Sequence, residues 1–309
     1  MPMRSAALAQ AAALAALLAC SCAPATTPTP ATTPTASLVA SSVAALVAPA
    51  SGMQAGVAAP ASARSRRLAL AAFHLRDERG GGPAEALKIL DEPDLPAAGA
   101  DPNDPAQRAE ANNATLRVDS NELALRALAL SQLGRYPEAV DALNRLLLAR
   151  RDLPPAALAD AFVERGLALA AMDHQDRAAE DYAAALALVP RHIPALLARA
   201  DQLFALGQTA EAEAGYSRVI EIAPENVLAR INRGVTRDEQ GRFAEAIADF
   251  TQAGALDPLS PVALVNRGVS RSQAGDMAGM CADYFAACRL GACRRLGSAR
   301  AMGYCQPGQ

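Results

Sequence analysis

Four cysteines, Cys281, Cys288, Cys293 and Cys305, crowd the end of the chain at separations of 7, 5 and 12 residues, while Cys20 and Cys22 stand near its start. An even set at such close quarters suits structural disulfides in an oxidising compartment. No Cys-x-x-Cys occurs among them, so neither a dithiol redox centre nor a zinc ribbon is supported. The three histidines, His74, His174 and His192, are scattered, and the last two fall in connections where a solvent-facing side chain is expected. Lys88 is the single lysine and the only candidate for Schiff-base chemistry. Carboxylate pairs such as Asp238 with Glu239, or Glu211 with Glu213, read as solvated helix surface. No Walker loop, His-Glu-x-x-His or Gly-x-Ser-x-Gly motif is present. The expectation is a protein with no catalytic residue, no metal and no cofactor, and with no small-molecule substrate.

What must position these residues is helix. Of 309 residues 51% are hydrophobic but only 4% aromatic, with no Trp, and alanine is the main apolar residue. Alanine is the best helix former, whereas strands favour the aromatic and β-branched residues that are scarce here. A formal net charge of −3 lacks the basic footprint of a nucleic-acid binder.

The N-terminus reads as an export signal. Arg4 precedes an apolar run from Ala6 to Ala19 broken only by Gln10, a charged n-region and short h-region. The run falls short of the roughly 20 apolar residues that span a bilayer. Its end, Leu17-Leu18-Ala19-Cys20, resembles the lipobox of bacterial lipoproteins, which implies lipidation of Cys20 and a membrane anchor; Leu18 departs from the usual smaller residue, and Cys22 is a second candidate. The alternative is ordinary cleavage, which would leave a soluble periplasmic protein. Residues 1–19 are thus expected to be a signal peptide, and 20–66 a tether rich in Pro, Thr and Ala, extended where proline repeats.

A period of 34 organises the rest. Asn232-Arg233-Gly234 returns as Asn266-Arg267-Gly268, Asp249-Phe250 as Asp283-Tyr284, and Gly241 as Gly275. Such a period in a helix-rich sequence points to helix–turn–helix repeats, and the segments resemble the tetratricopeptide family. In residues 227–260 the small eighth residue is Gly234, the turn glycine Gly241, the small twentieth residue Ala246, the aromatic twenty-fourth Phe250 and the closing proline Pro258. Units 193–226, 159–192, 120–153 and 261–294 keep the pattern, with Asp173 replacing one turn glycine, and a late closing proline at Pro154 and Pro155 where five extra residues lengthen one inter-repeat loop. The resemblance implies an all-α, right-handed α-solenoid of antiparallel helix pairs. Its array covers 120–290, preceded by a degenerate unit or helical hairpin at 67–90 and an irregular linker at 91–119, and followed by a Cys-rich cap at 291–309.

In that family the first helix of each unit, helix A, lines a groove for a peptide or partner protein. Carried over place by place, the groove includes Asp160, Glu164, Asp201, Phe204, Asn232, Asp238 and Asn266, with Leu128, Val163, Leu167, Leu197, Ile231, Val235 and Val265 among its apolar members. Asn232 and Asn266 resemble the asparagine of a carboxylate clamp, but its basic partners are missing, since the second place of the fifth unit is Val262. An apolar groove with acidic edges suits a segment with apolar anchors and Arg or Lys flanks. Arg233, Arg237, Arg267 and Arg271 recur in register and read as an inter-repeat ion-pair ladder reaching Asp249 or Asp283.

At the C-terminus, a second helix of the fifth unit over about Met277–Leu290 places Cys281 and Cys288 on one face. Gly291 offers a stop and Cys293 to about Ala301 a returning helix, so of three connectivities the nested pairs Cys288–Cys293 and Cys281–Cys305 cost least strain. The function expected is an exported, lipid-anchored adaptor or scaffold of the bacterial envelope. The alternatives are a soluble periplasmic binding module, or a redox or enzymatic protein that uses the C-terminal cysteines.

Overall fold

The computed structural model describes residues 63–76, 82–91, 120–148 and 153–306. The signal, Cys20, the tether and the linker expected at 91–119 lie outside the described residues, apart from Ala63–Arg67 and Asp91. Among the described residues the structure is all-α. The helices are α1 (Ala63–Arg76), α2 (Gly82–Asp91), α3 (Ser120–Gln132), α4 (Tyr136–Leu148), α5 (Pro155–Ala171), α6 (Gln175–Leu188), α7 (Ile193–Ala205), α8 (Thr209–Ile222), α9 (Val227–Glu239), α10 (Phe243–Leu256), α11 (Pro261–Gln273), α12 (Met277–Arg289) and α13 (Arg294–Ala301). They form two compact units that divide after Ala229, near the start of α9. Among the described residues no helix is long and apolar enough to cross a membrane.

Each repeat is a helix pair closed by the same turn. Gly134, Gly207, Gly241 and Gly275 take φ of 72°, 75°, 73° and 84°, and Asp173 takes φ 64° at the equivalent place. The left-handed conformation lets the chain fold back so that the next amide caps an orphan carbonyl of the first helix. Arg135 N–H donates to Leu130 O, His174 to Leu169, Gln208 to Leu203 and Arg242 to Arg237, each at 2.9 Å, and Asp276 to Arg271 at 2.8 Å. Aspartate is among the few non-glycine residues that tolerate this conformation.

Inside a pair, the eighth and twenty-fourth places interlock. A Cβ at Gly166, Gly234 or Gly268 would sit 2.5, 2.7 or 2.6 Å from the ring of Tyr182, Phe250 or Tyr284. Glycine is therefore required because the ring occupies the space of its side chain. In residues 193–226 the small residue moves to the other helix: Ala200 takes the eighth place, and a Cβ at Gly215 would lie 2.8 Å from the Cβ of Ala200.

In the first unit of the structure, α1 and α2 pack as a pair on α3. Leu68, Ala71, Ala72, Ala86, Leu87, Ile89 and Leu90 share one core with Leu125, Leu128 and Ala129. Arg126 ties the pair down, donating to Asp91 Oδ1 at 2.5 Å and Leu90 O at 3.1 Å. The pair gives repeat 120–153 the apolar neighbour it would otherwise lack.

In the second unit, the chain ends in a stapled cap. The disulfides are Cys281–Cys305, with Cα atoms 5.2 Å apart, and Cys288–Cys293, 4.0 Å apart. The helix before the staple is α12, Met277–Arg289, and Asp276 caps it by accepting from Gly279 N–H at 2.8 Å. Helix α13 then returns so that Leu296, Ala299 and Cys305 close over Met280 and Tyr284. Arg300 lies over the Phe285 ring at 5.1 Å and donates to Cys305 O at 3.3 Å, which pins the tail.

Candidate functional site

The arginines that recur in register are engaged in ion pairs within the fold. Arg233 grips Asp249 with Nε at 3.0 Å and Nη2 at 2.6 Å, and Arg237 adds a third bond at 2.9 Å. Arg267 and Arg271 repeat this arrangement on Asp283 at 3.0, 2.6 and 2.9 Å. Each set joins the two helices of one repeat, so the ladder is intra-repeat and not inter-repeat as the register alone suggests. The aspartate, one place before the aromatic, is carried inward beside the eighth-place glycine, where only a donor from its own helix pair reaches it. The same pair exists in residues 159–192, where Arg165 grips Asp181 at 2.9 and 2.6 Å and donates to Asn144 at 2.8 Å. Arginine stands at the seventh place of all five repeats, as Arg126, Arg165, Arg199, Arg233 and Arg267. Where the twenty-third place is Gly215, Arg199 has no such acid and stays exposed.

With the arginines committed, acids dominate the groove face of α5 and α7 in the first unit. Asp160 is buried and its Oδ1 lies 3.0 Å from His192 Nε2. The expectation that His192 faces solvent is therefore corrected: it folds from the inter-repeat connection onto α5, and its Nδ1 is buried without a partner. Asp201 is half-buried and accepts the Tyr216 hydroxyl at 2.6 Å. Glu164 stands one turn from Asp160 on the same helix face, half-buried, and no donor or cation among the described residues reaches it. Burial, then the charge of Asp160, raises its carboxyl from 4.5 to about 7. Tyr182 is fully buried, and its hydroxyl is pushed upward by burial and by Asp201, Asp181 and Glu164. Phe204, on the same face as Asp201, is half-exposed against the core of Leu197, Tyr216 and Val219. Asp160 thus acts on Glu164, and Glu164 and Asp201 both act on the buried Tyr182 hydroxyl.

Asn232, Asp238 and Asn266 belong to the second unit. The asparagines are half-buried, and their backbone carbonyls accept the hydroxyls of Thr236 at 2.8 Å and Ser270 at 3.3 Å. Asp238 has one carboxyl oxygen buried without a partner. Burial raises its carboxyl, against the opposing pull of a hydrogen bond from Ser270.

The apolar part of the expected groove needs correction. Leu128, Val163, Leu197 and Ile231 are core residues at 5%, 4%, 0% and 9% exposure. The α1–α2 pair covers Leu128, and the neighbouring helices take Val163 and Leu197. Only Leu167, Phe204, Val235 and Val265 keep partial exposure. A depression of about 400 Å³, between α2, α3 and α4, is lined by charges that neutralise each other, Arg126 with Asp91 and Arg135 with Glu138. Among the described residues no group of three His, Cys, Asp or Glu is placed to hold a metal ion.

Helix pairs with a shared turn, an interlocked glycine and aromatic, and a polar face on each first helix define a helical-repeat fold. Residues 194–226 match the tetratricopeptide repeat family model. Among solved structures, the chain is similar to an ArsTM double mutant of MamA from RS-1, with 20% identity over 58% of this chain and 97% of that one at a TM-score of 0.48. It is also similar to MamA from Desulfovibrio magneticus RS-1 (19%, 57% and 96%, TM-score 0.47) and to MamA from MSR-1 (23%, 56% and 97%, TM-score 0.45). No match to a curated protein is found.

Proposed function

We propose that this chain is a non-catalytic adaptor of the bacterial envelope, anchored by a lipid on Cys20, whose repeats bind a peptide or partner protein. The observation that carries the binding reading is the face shared by Glu164, Asp201 and Phe204. These side chains come from two successive first helices and are neither core nor fully solvated, with Asp201 accepting the Tyr216 hydroxyl and Phe204 resting on the edge of the core. Anchorage rests on Arg4, the apolar run and Leu17-Leu18-Ala19-Cys20, with the Pro/Thr-rich segment as the spacer between membrane and repeats. The C-terminal staples support an oxidising compartment. The test of anchorage is fractionation of cells producing the wild type and Cys20→Ala. The wild type should partition with membranes, and the variant should be released or left unprocessed. A Cys20→Ala protein that matures and stays membrane-bound would overturn the anchor. The test of binding is photo-cross-linking from position 204 in intact cells, with a distinct adduct expected there and none from exposed Glu180.

A further inference from the structure

The depression between α2, α3 and α4 lies where one repeat lacks an aspartate. In residues 159–192, 227–260 and 261–294 the seventh-place arginine holds the twenty-third-place aspartate of its own helix pair through Nε and Nη2, at 2.6–3.0 Å. In residues 120–153 the arginine is Arg126, but the twenty-third place is Ala142. Both line the depression of about 400 Å³. Residues 193–226 lack the acid too, yet there the two helices close up, since a Cβ at Gly215 would lie 2.8 Å from that of Ala200. At Ala142 the space stays open.

Without its aspartate Arg126 turns to the preceding pair. Its Nη1 donates to Asp91 Oδ1 at 2.5 Å and its Nη2 to Leu90 O at 3.1 Å, with Glu122 3.6 Å away. Its Nε, which grips the aspartate elsewhere, has no partner among the described residues. The Asp91 side chain is 64% exposed against 29% for Arg126, so another carboxylate can replace it there and leave it in water. Arg145, also in the lining, is exposed and without a partner among the described residues. The remaining acids of the lining, Glu138 and Asp141, are exposed, where solvent screens them.

A carboxylate held in a guanidinium fork receives two charge-assisted hydrogen bonds. We infer that this depression is a second binding site, for a carboxylate carried on an apolar body. Arg126 takes the carboxylate where aspartate serves the other repeats, Arg145 adds a second cation, and Leu87 and Leu130 form the apolar floor. A volume of about 400 Å³ suits such a group together with its apolar stem. The site goes beyond the groove proposed above and shares no residue with it. Its ligand chemistry has two sources, an acidic segment of a partner protein or a free organic acid.

The probes are a fluorescein-labelled peptide with the core Leu-Asp-Leu, amidated at its end, and N-acetylleucine, each with a neutral twin: Asn in place of Asp, and N-acetylleucinamide. The full chain should bind at least one acid roughly tenfold or more tightly than its twin. Preference for the peptide alone assigns the site to a protein segment, and preference for N-acetylleucine shows that a free acid suffices. Ala142→Asp supplies from the chain the aspartate that the other repeats have, so it should occupy Arg126 and abolish the preference. Arg145→Gln should weaken the acid about twofold to fivefold, and Arg177→Gln, exposed on α6, should leave it unchanged. Acids bound no better than their twins overturn the site, as does a preference that survives in an Ala142→Asp protein melting like the wild type. Should Ala142→Asp fail to fold, Arg145→Gln decides alone, and a loss no greater than that from Arg177→Gln overturns the site.

Discussion

Replacing Glu164 by glutamine should stabilise the protein, and only above a definite pH. The carboxyl titrates near 4.5 when exposed and at about 7 in the folded protein, raised by burial and by Asp160 one turn away. Below pH 4.5 it is protonated in both folded and unfolded chains and costs nothing. Between 4.5 and 7 the unfolded chain releases the proton more readily than the folded one, so stability falls as pH rises. Above 7 the folded protein carries the full burden, which at roughly 1.4 kcal/mol per pH unit comes to about 3 kcal/mol. Glutamine is neutral throughout, so Glu164→Gln should match the wild type near pH 4 and gain up to about 3 kcal/mol by pH 8. In a domain of this size that is roughly 6–12 °C in melting temperature. Subtracting the wild type cancels whatever other groups titrate across this range. The measurement is therefore the difference between variant and wild type in urea and thermal unfolding at successive pH values. Glu180→Gln, an exposed acid on α6, is the control and should show a flat difference. A Glu164→Gln advantage that does not grow from pH 4 to 8, or a variant less stable at pH 8, would refute the reasoning.

Asp249→Ala removes the carboxylate that Arg233 and Arg237 share, both largely buried, and should cost about 3 kcal/mol in urea unfolding; Glu245→Ala on the same helix should cost under about 1 kcal/mol. Gly234→Ala should lose about 1–3 kcal/mol because its new Cβ would meet the Phe250 ring at 2.7 Å, and Ala246→Leu should lose at least as much at a fully buried contact. If charge reversal at Asp201 and truncation of Phe204 damage folding as much as Ala246→Leu does, the groove assignment is wrong. Non-reducing peptide mapping should recover Cys281 with Cys305 and Cys288 with Cys293, and Cys281→Ala with Cys305→Ala should cost about 3 kcal/mol and expose the cap to protease. Four free thiols in protein taken from an oxidising compartment would end the cap reading.

The repeats were legible because their determinants are local. A turn residue at Gly134, Asp173, Gly207, Gly241 and Gly275, and a small residue facing an aromatic sixteen places later, are fixed by one helix pair closing on itself. The same closure repeats every 34 residues, so the sequence records it as a period. The disulfide pairs belong with these, since the stop at Gly291 and the helix that follows leave few ways to join four nearby cysteines. The arginine pairs were half legible: the sixteen-residue spacing from Arg233 to Asp249 was in view, but not that Arg165 and Asp181 share it, nor that both partners lie in one repeat.

Tertiary structure decided how deep each groove position lies. Places carried over from a repeat consensus give the direction of a side chain, but its exposure depends on the element stacked against it. Leu128 vanishes beneath α1 and α2, and Leu197 beneath its own neighbours. His192 reaches Asp160 across 32 residues of sequence, a contact set by how one repeat meets the start of the next. Glu164 reads in the sequence as one more acid on a helix. Only packing shows that Asp160, Asp181 and Asp201 have partners and that Glu164 has none among the described residues, and the cost of burying a charge depends on everything that surrounds it.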